Sequence, residues 1–166
     1  MAKRVEYFTV KNNTRLNSDI FILELTTAEQ LPELKPGQFA QLKVEGSPDT
    51  FLRRPFSIHD VDYASNSIKM LIQIAGSGTR RLSRLKTGEK LNLVYPLGNS
   101  FTIPGKDSSI LLAGGGCGIA PLLFLGRYMK SRGLKPQLLL GFRDSERIVE
   151  YSEYESIGPV WLTTED

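Results

Sequence analysis

The chain has 166 residues, 40% hydrophobic and 23% charged, proportions that suit a globular protein with a core of its own. A net charge of +3 comes from 21 basic and 18 acidic residues spread along the sequence, and charge alone argues against a nucleic-acid partner. One cysteine, Cys117, and one histidine, His59, exclude an internal disulfide, a structural zinc site and an iron–sulfur cluster held by the chain's own thiolates.

The N-terminus has no apolar signal core. The most apolar run, residues 110–125, is interrupted by Gly114-Gly115-Gly116 and by Pro121, so no membrane contact is expected and the expected location is the cytoplasm. Residues 4–103 read as short strands between turn signals. Strands are predicted at 6–10, 20–26, 38–44, 56–60, 67–74 and 91–95, with the cleanest period-two alternation in Gln38-Phe39-Ala40-Gln41-Leu42-Lys43-Val44. A short helix is predicted over 80–85, between Gly78-Thr79 and the turn at Thr87-Gly88. Six strands at this spacing predict a closed or nearly closed antiparallel barrel.

After Pro104-Gly105 the pattern changes. Ile110-Leu111-Leu112-Ala113 is an apolar strand without alternation, as expected of a parallel strand buried on both faces. A helix is predicted from Pro121, a residue suited to a first helical position, to Arg132. A second buried strand is expected over 137–142, a helix over 145–156 and a third strand over 160–163. The predicted fold class is therefore a β-barrel plus α/β: a six-stranded antiparallel barrel, residues 1–104, then the first half of a Rossmann-like nucleotide-binding domain, residues 105–166.

Three segments carry candidate chemistry. Arg54-Pro55-Phe56-Ser57 sets a permanent cation and a hydroxyl in one extended stretch, and a guanidinium matches phosphate in bidentate fashion. In isolation the four residues also describe an edge strand with a surface arginine. Gly76-Ser77-Gly78-Thr79 precedes a short helix and suits either a phosphate or an ordinary N-cap. Gly114-Gly115-Gly116-Cys117-Gly118-Ile119-Ala120-Pro121 joins a buried strand to a helix, the context in which a glycine turn binds a dinucleotide. Cys117 is expected to be a small, partly buried thiol.

These segments occur in the order barrel, Arg-Pro-Phe-Ser, Gly-Ser-Gly-Thr, Pro96-Leu97-Gly98-Asn99-Ser100-Phe101, glycine turn, and the sequence in that order resembles the ferredoxin reductase superfamily. Within it, Leu52-Arg53-Arg54-Pro55-Phe56-Ser57-Ile58 is most similar to the family of electron-transfer subunits of dihydroorotate dehydrogenase B, over essentially the whole chain. The resemblance implies that Arg54, with Pro55 and Phe56 beside it, faces the FAD pyrophosphate and that Ser57 lies near the redox-active edge of the flavin. It implies that Leu71, Ile72 and Gln73 line the flavin; many relatives carry Tyr-Arg where Ile72 and Gln73 stand here. Gly78 and Thr79 would meet the pyrophosphate through backbone amides and a hydroxyl. Gly114, Gly115, Gly116, Gly118, Ala120 and Pro121 would form the NAD side.

The family also implies an FMN-containing catalytic partner that oxidises dihydroorotate to orotate in pyrimidine biosynthesis. It further implies a 2Fe-2S cluster on the electron path to FAD and NAD⁺, held by four cysteines that this sequence lacks, so the chain reads as C-terminally truncated. No side chain is required as a catalytic acid or base, and no metal ligand is expected. Two other readings remain at this stage: an NAD(P)H reductase subunit serving a hydrogenase or ferredoxin, and, more distantly, a non-enzymatic barrel that binds nucleic acid.

Overall fold

The computed structural model describes residues 2–47 and 49–166. Among these residues ten strands form two sheets. The first has seven antiparallel strands: β1 (Arg4–Arg15), β2 (Ile20–Thr26), β3 (Phe39–Leu42), β4 (Arg54–Ser57), β5 (Asp60–Asp62), β6 (Ser67–Gln73) and β7 (Lys90–Leu97), in the spatial order β4-β3-β7-β1-β2-β6-β5. The second is parallel, with β8 (Leu111–Gly115), β9 (Gln137–Gly141) and β10 (Val160–Thr163) in the order β10-β9-β8. Helix α1 (Ser77–Leu82) belongs to the first unit, α2 (Ala120–Ser131) and α3 (Tyr151–Glu155) to the second. Among the described residues no helix is long and apolar enough to cross a membrane.

The antiparallel sheet curls because β1 serves two neighbours in succession. Its first half, Arg4 to Thr9, pairs with β7, and its second half, Thr9 to Arg15, pairs with β2 across a register shift between Val10 and Asn12. A bulge of this kind bends a strand and increases its twist. The inward side chains Phe8, Val10, Leu23, Leu25, Leu42, Ile68, Met70 and Leu93 fill the curl and are essentially inaccessible to solvent. Predicted strand 6–10 covers only the first half of β1, because Lys11-Asn12-Asn13-Thr14-Arg15 is polar and reveals its pairing only through β2.

The sheet has seven strands where six were expected. The predicted strand 56–60 is two strands, and the division falls at Ile58-His59. Ile58 N–H donates to Gln38 O at 3.0 Å, on the β3 side; His59 N–H donates to Lys69 O at 2.8 Å, on the β6 side. Adjacent amides thus pair with opposite ends of the sheet and draw its two edges together.

Helix α1 begins three residues earlier than predicted. Thr79 Oγ1 accepts from Ala75 N–H (2.9 Å) and Gly76 N–H (3.1 Å) and donates to Gly76 O (3.1 Å), which closes the turn ahead of the helix. At the other end, Asn13 Nδ2 donates to Leu82 O (3.1 Å) and Leu85 O (2.9 Å), satisfying carbonyls that a helix terminus leaves unpaired.

The predicted helix over 145–156 is interrupted. A 3₁₀ turn, Ser145–Arg147, is followed by α3, and Glu150 between them has φ 54° and ψ 27°. This left-handed conformation costs a non-glycine residue about 1–2 kcal/mol. It aims the Glu150 carboxylate at His59.

The parallel strands differ from expectation in burial. Leu112, Leu138 and Leu140 point to the covered face, whereas Leu111 is 58%, Leu139 38% and Trp161 49% exposed on the other. The described helices and the barrel cover a single face, so a non-alternating apolar pattern here does not mean burial on both.

The two units share their cores. Ile20 and Leu71 of the barrel are buried among the side chains of the α/β unit, and Phe124 of α2 is buried among those of the barrel. Burial of each such side chain is worth about 1.5–3 kcal/mol. Asp19, in the β1–β2 turn, bonds Arg147 Nη1 at 2.8 Å and accepts from Gln73 Nε2 at 2.9 Å. The hydrogen bond from Gln73 and the charge of Arg147 outweigh desolvation and hold the Asp19 carboxyl below the ordinary range. A depressed carboxyl stabilises the fold above its unfolded-state value, and that contribution is lost as pH falls through the folded value. Asp19→Asn is therefore expected to lower stability by up to about 1 kcal/mol at pH 7. Denaturant titrations repeated at falling pH should show the gap between variant and parent closing below about pH 4.

Candidate functional site

Strand β4 carries Arg54, and α1 begins where the chain leaves β6, so the curl of the sheet brings two sequence-distant motifs together. A methyl group placed on Gly78 would lie 3.1 Å from Thr50 Cγ2, 3.2 Å from Thr50 Oγ1 and 3.5 Å from Arg54 Nε. The missing side chain at Gly78 thus lets the first turn of α1 pack closely on Thr50, with the Arg54 guanidinium beside it. Thr50 Oγ1 lies 2.8 Å from Ser47 Oγ and 3.2 Å from Ser77 Oγ, a chain of hydroxyls beside this turn. Thr50 was not singled out in the sequence, since nothing nearby marks it as part of the α1 turn.

The sequence offered two neighbouring arginines, and the structure separates them. Arg53 donates from Nη1 to Asn92 O at 3.0 Å and from Nη2 to Asn92 Oδ1, so it ties the start of β4 to β7. Arg54 enters no ion pair among the described residues. Pro55 is exposed, while Phe56 and Ser57 are half-buried, with Phe56 packed against the barrel core. Leu71 and Ile72 are 4% and 1% exposed, so only their backbone can reach a ligand. Gln73 is engaged with Asp19. The Thr79 hydroxyl has its donor and both acceptor positions filled within its own turn, and its amide is what remains for a ligand.

The glycine turn lies at the carboxyl end of β8, and its glycines play different parts. A methyl group on Gly114 would meet Leu122 Cδ1 at 2.8 Å, so this glycine allows α2 to approach the sheet, and Gly116 has φ 51°. Gly115 and Gly118 are exposed. Together with Gly141, Arg143, Thr164 and Glu165, Gly115 and Gly116 line a cleft of about 410 Å³ at the carboxyl ends of the three parallel strands. That is where open α/β sheets bind their ligands. Arg143 and Glu165 were missed as candidates because their chemistry emerges only when three strand ends are side by side. Ala120 is buried and Pro121 half-buried in the first turn of α2.

Two buried side chains hold the exit of this turn. Tyr154 Oη donates to Ile119 O at 2.9 Å, and His59 Nδ1 lies 2.6 Å from Ala120 O. Burial, then the charge of Glu150, pushes the Tyr154 hydroxyl far above its ordinary value, so it is a permanent donor. Burial also raises the Cys117 thiol, with the Asp19 charge acting the same way. Nearby, Arg127 bridges Asp60 and Glu153. Desolvation raises the Asp60 carboxyl despite that cation.

Residues 7–102 match the oxidoreductase FAD-binding domain family. The chain belongs to that family. The reading as a non-enzymatic nucleic-acid module is thereby set aside. Similarity extends beyond this domain to the curated electron-transfer subunits of dihydroorotate dehydrogenase B (NAD⁺). The Caldanaerobacter subterraneus protein is 38% identical over 157 residues, covering 95% of this chain and 59% of the relative. The Streptococcus pneumoniae protein is 34% identical over 167 residues, covering 98% and 64%. The chain therefore spans about three fifths of the length of these relatives. Among solved structures, an NADH-dependent reduced ferredoxin-NADP oxidoreductase described for flavin-based electron bifurcation superposes with a TM-score of 0.84 at 25% identity, covering 95% of this chain and 56% of that one. The ferredoxin reductase of carbazole 1,9a-dioxygenase superposes at 0.85 with 21% identity, covering 100% and 52%, and shares the fold.

Because Arg53 makes charge-assisted bonds inside the sheet, Arg53→Ala is expected to cost about 1.5–3 kcal/mol of stability. Urea unfolding of the purified variant checks this.

Proposed function

We propose that this chain is the flavin- and nucleotide-binding portion of an electron-transfer subunit of dihydroorotate dehydrogenase B, working between a catalytic subunit and NAD⁺. The carrying observation is the close approach at Gly78: an uncommitted guanidinium and the Thr50 hydroxyl lie against the first turn of α1, an approach that only a glycine permits. That donor set suits a pyrophosphate, and Arg54 supplies its main cation. On the outer side of α1, Arg15, Arg80 and Arg84 line a cleft of about 490 Å³ and add positive potential at the same end of the barrel.

In this reading Arg54 orients the FAD pyrophosphate, Gly78 and Thr79 offer backbone N–H groups, and Pro55, Phe56 and Ser57 flank the flavin. Leu71 and Ile72 contribute backbone beneath it, and Gln73 holds the Asp19 turn in place. The NAD side is formed by Gly115, Gly116 and Gly118, with Gly114, Ala120 and Pro121 shaping the turn rather than touching the ligand. We place the boundary between the two units at 104/105. FAD, when bound, supplies an electron carrier able to exchange a hydride with nicotinamide. The protein's contribution is to bind, orient and exclude water, and no side chain is assigned proton transfer.

The proposed partner is an FMN-containing catalytic subunit that oxidises dihydroorotate, and the proposed setting is the cytoplasm. A four-thiolate cluster does not fit these residues: the single cysteine, Cys117, has a thiol raised by burial, and no step is assigned through a cluster.

The folded chain is expected to take up FAD and to release FAD, not FMN, on denaturation. Arg54→Ala should fold normally and bind FAD about tenfold to a hundredfold more weakly, the loss of a charge-assisted contact worth roughly 1.5–3 kcal/mol. Flavin fluorescence titration of both proteins checks this; equal affinity would remove Arg54 from the pyrophosphate site.

A further inference from the structure

His59 is the chain's single histidine, it is fully buried, and no part in binding FAD or NAD is assigned to it. It stands two residues after Ser57, at the seam of the barrel. Its backbone N–H bonds Lys69 O in β6, and its carbonyl accepts from Phe124 N–H of α2 at 3.0 Å. Its ring lies between Ala120 O, 2.6 Å from Nδ1, and Glu150 Oε2, 2.7 Å from Nε2. One residue therefore links the strand of the Arg54 motif to the exit of the glycine turn and to the segment before α3.

The hydrogen-bond inventory fixes the arrangement. A carbonyl only accepts, so Nδ1 carries a proton toward Ala120. A carboxylate faces Nε2, so a further proton must sit on the Nε2–Oε2 contact, or two lone pairs would oppose each other. The groups packed around the dyad agree. Asp60 and Lys69 of the barrel, Arg127 of α2, and Glu150, Glu153 and Tyr154 around α3 supply three carboxylates against two cations. The dyad's proton restores the balance. The left-handed backbone at Glu150 has no glycine to ease it and is held where its carboxylate meets the ring.

We propose that His59 is a positioning residue: through Ala120 and Glu150 it sets the spacing between the strand carrying Arg54–Ser57 and the glycine turn, and with it the approach of nicotinamide to flavin. What the two sides hold rests on the reading under Proposed function. The cofactors, when bound, would exchange a hydride in either direction, and His59 would hold the two sides in place without itself changing. Such transfers require reacting atoms about 3–3.5 Å apart, and a misplacement of about 1 Å costs roughly a hundredfold in rate.

The test uses the full chain with ¹⁵N-labelled histidine, whose one imidazole gives an unambiguous signal. Nδ1 should carry its proton in the parent and also in Glu150→Gln, whose amide can donate to a bare Nε2 and keep the contact. His59→Leu should retain FAD within about twofold, reduce bound flavin with NADH at least tenfold more slowly, and exchange the Phe124 amide at least tenfold faster. Glu150→Gln should stay within about threefold of the parent rate. Should His59→Leu fail to fold, His59→Asn, which keeps a donor toward Ala120, carries the same comparison. Parent-like flavin reduction and Phe124 exchange in the histidine variant would overturn the proposal, as would an imidazole behaving like an exposed one. If the parent takes up no FAD, the functional reading fails, and the nitrogen signals with Phe124 exchange still decide whether His59 holds the turn.

Discussion

At the seam of the barrel, Ile58 and His59 present consecutive amides to strands from opposite ends of the sheet. A seven-stranded antiparallel sheet left open would expose two rows of unpaired backbone groups, a liability that proteins blunt or cover. Here two consecutive peptide units bend the sheet back on itself, and β4 and β5 become short because the chain must change partners between them. Arg54 reaches α1 for that reason, and the side chain after Ile58 points out of the barrel toward the second unit.

That second unit is fastened by two kinds of force. Ile20, Leu71 and Phe124 cross the boundary and supply most of the energy, since each removes apolar surface from water. Apolar contacts are not directional and would tolerate a small rotation of α2. The polar contacts would not: Tyr154 and His59 hold consecutive carbonyls, Ile119 and Ala120, from two different units. Buried hydrogen bonds contribute little net stability but are expensive to leave unmade, so they select one geometry among several of similar burial.

What was legible in the sequence follows the same division. Strands whose alternation belongs to one buried face, such as β3 and most of β2, are readable locally, as is the strand–glycine–helix sequence from β8 to α2. The polar half of β1 is not, because its partner is β2 and not a hydrophobic surface. The start of α1 is set by the Thr79 side chain and its end by Asn13, a residue more than sixty positions away. The break at Glu150 is illegible for a related reason: every residue from 145 to 156 tolerates a helix, and only a histidine 91 positions earlier makes a kink there worthwhile. A lone histidine inside a predicted strand was nonetheless a signal, since a buried ring with two polar nitrogens must find two partners.

The cations show how a site can be distinguished from a scaffold. Arg53 is spent on Asn92, Arg127 on Asp60 and Glu153, Arg147 on Asp19 and Asp144, Arg81 on Glu45 O and Glu89. Each of these half-buried guanidinium groups has internal partners that account for its place. Arg80 and Arg84 are exposed, and water suffices for them. Arg54 fits neither class. It is half-buried on a strand, it lies beside the turn that Gly78 lets approach, and no acid in the described fold answers its charge. Removing a charge partly from water without an internal counter-charge is unfavourable, and the anion-binding role proposed for Arg54 would relieve the imbalance. By the same inventory the role proposed for His59 is architectural and the role proposed for Arg54 is binding.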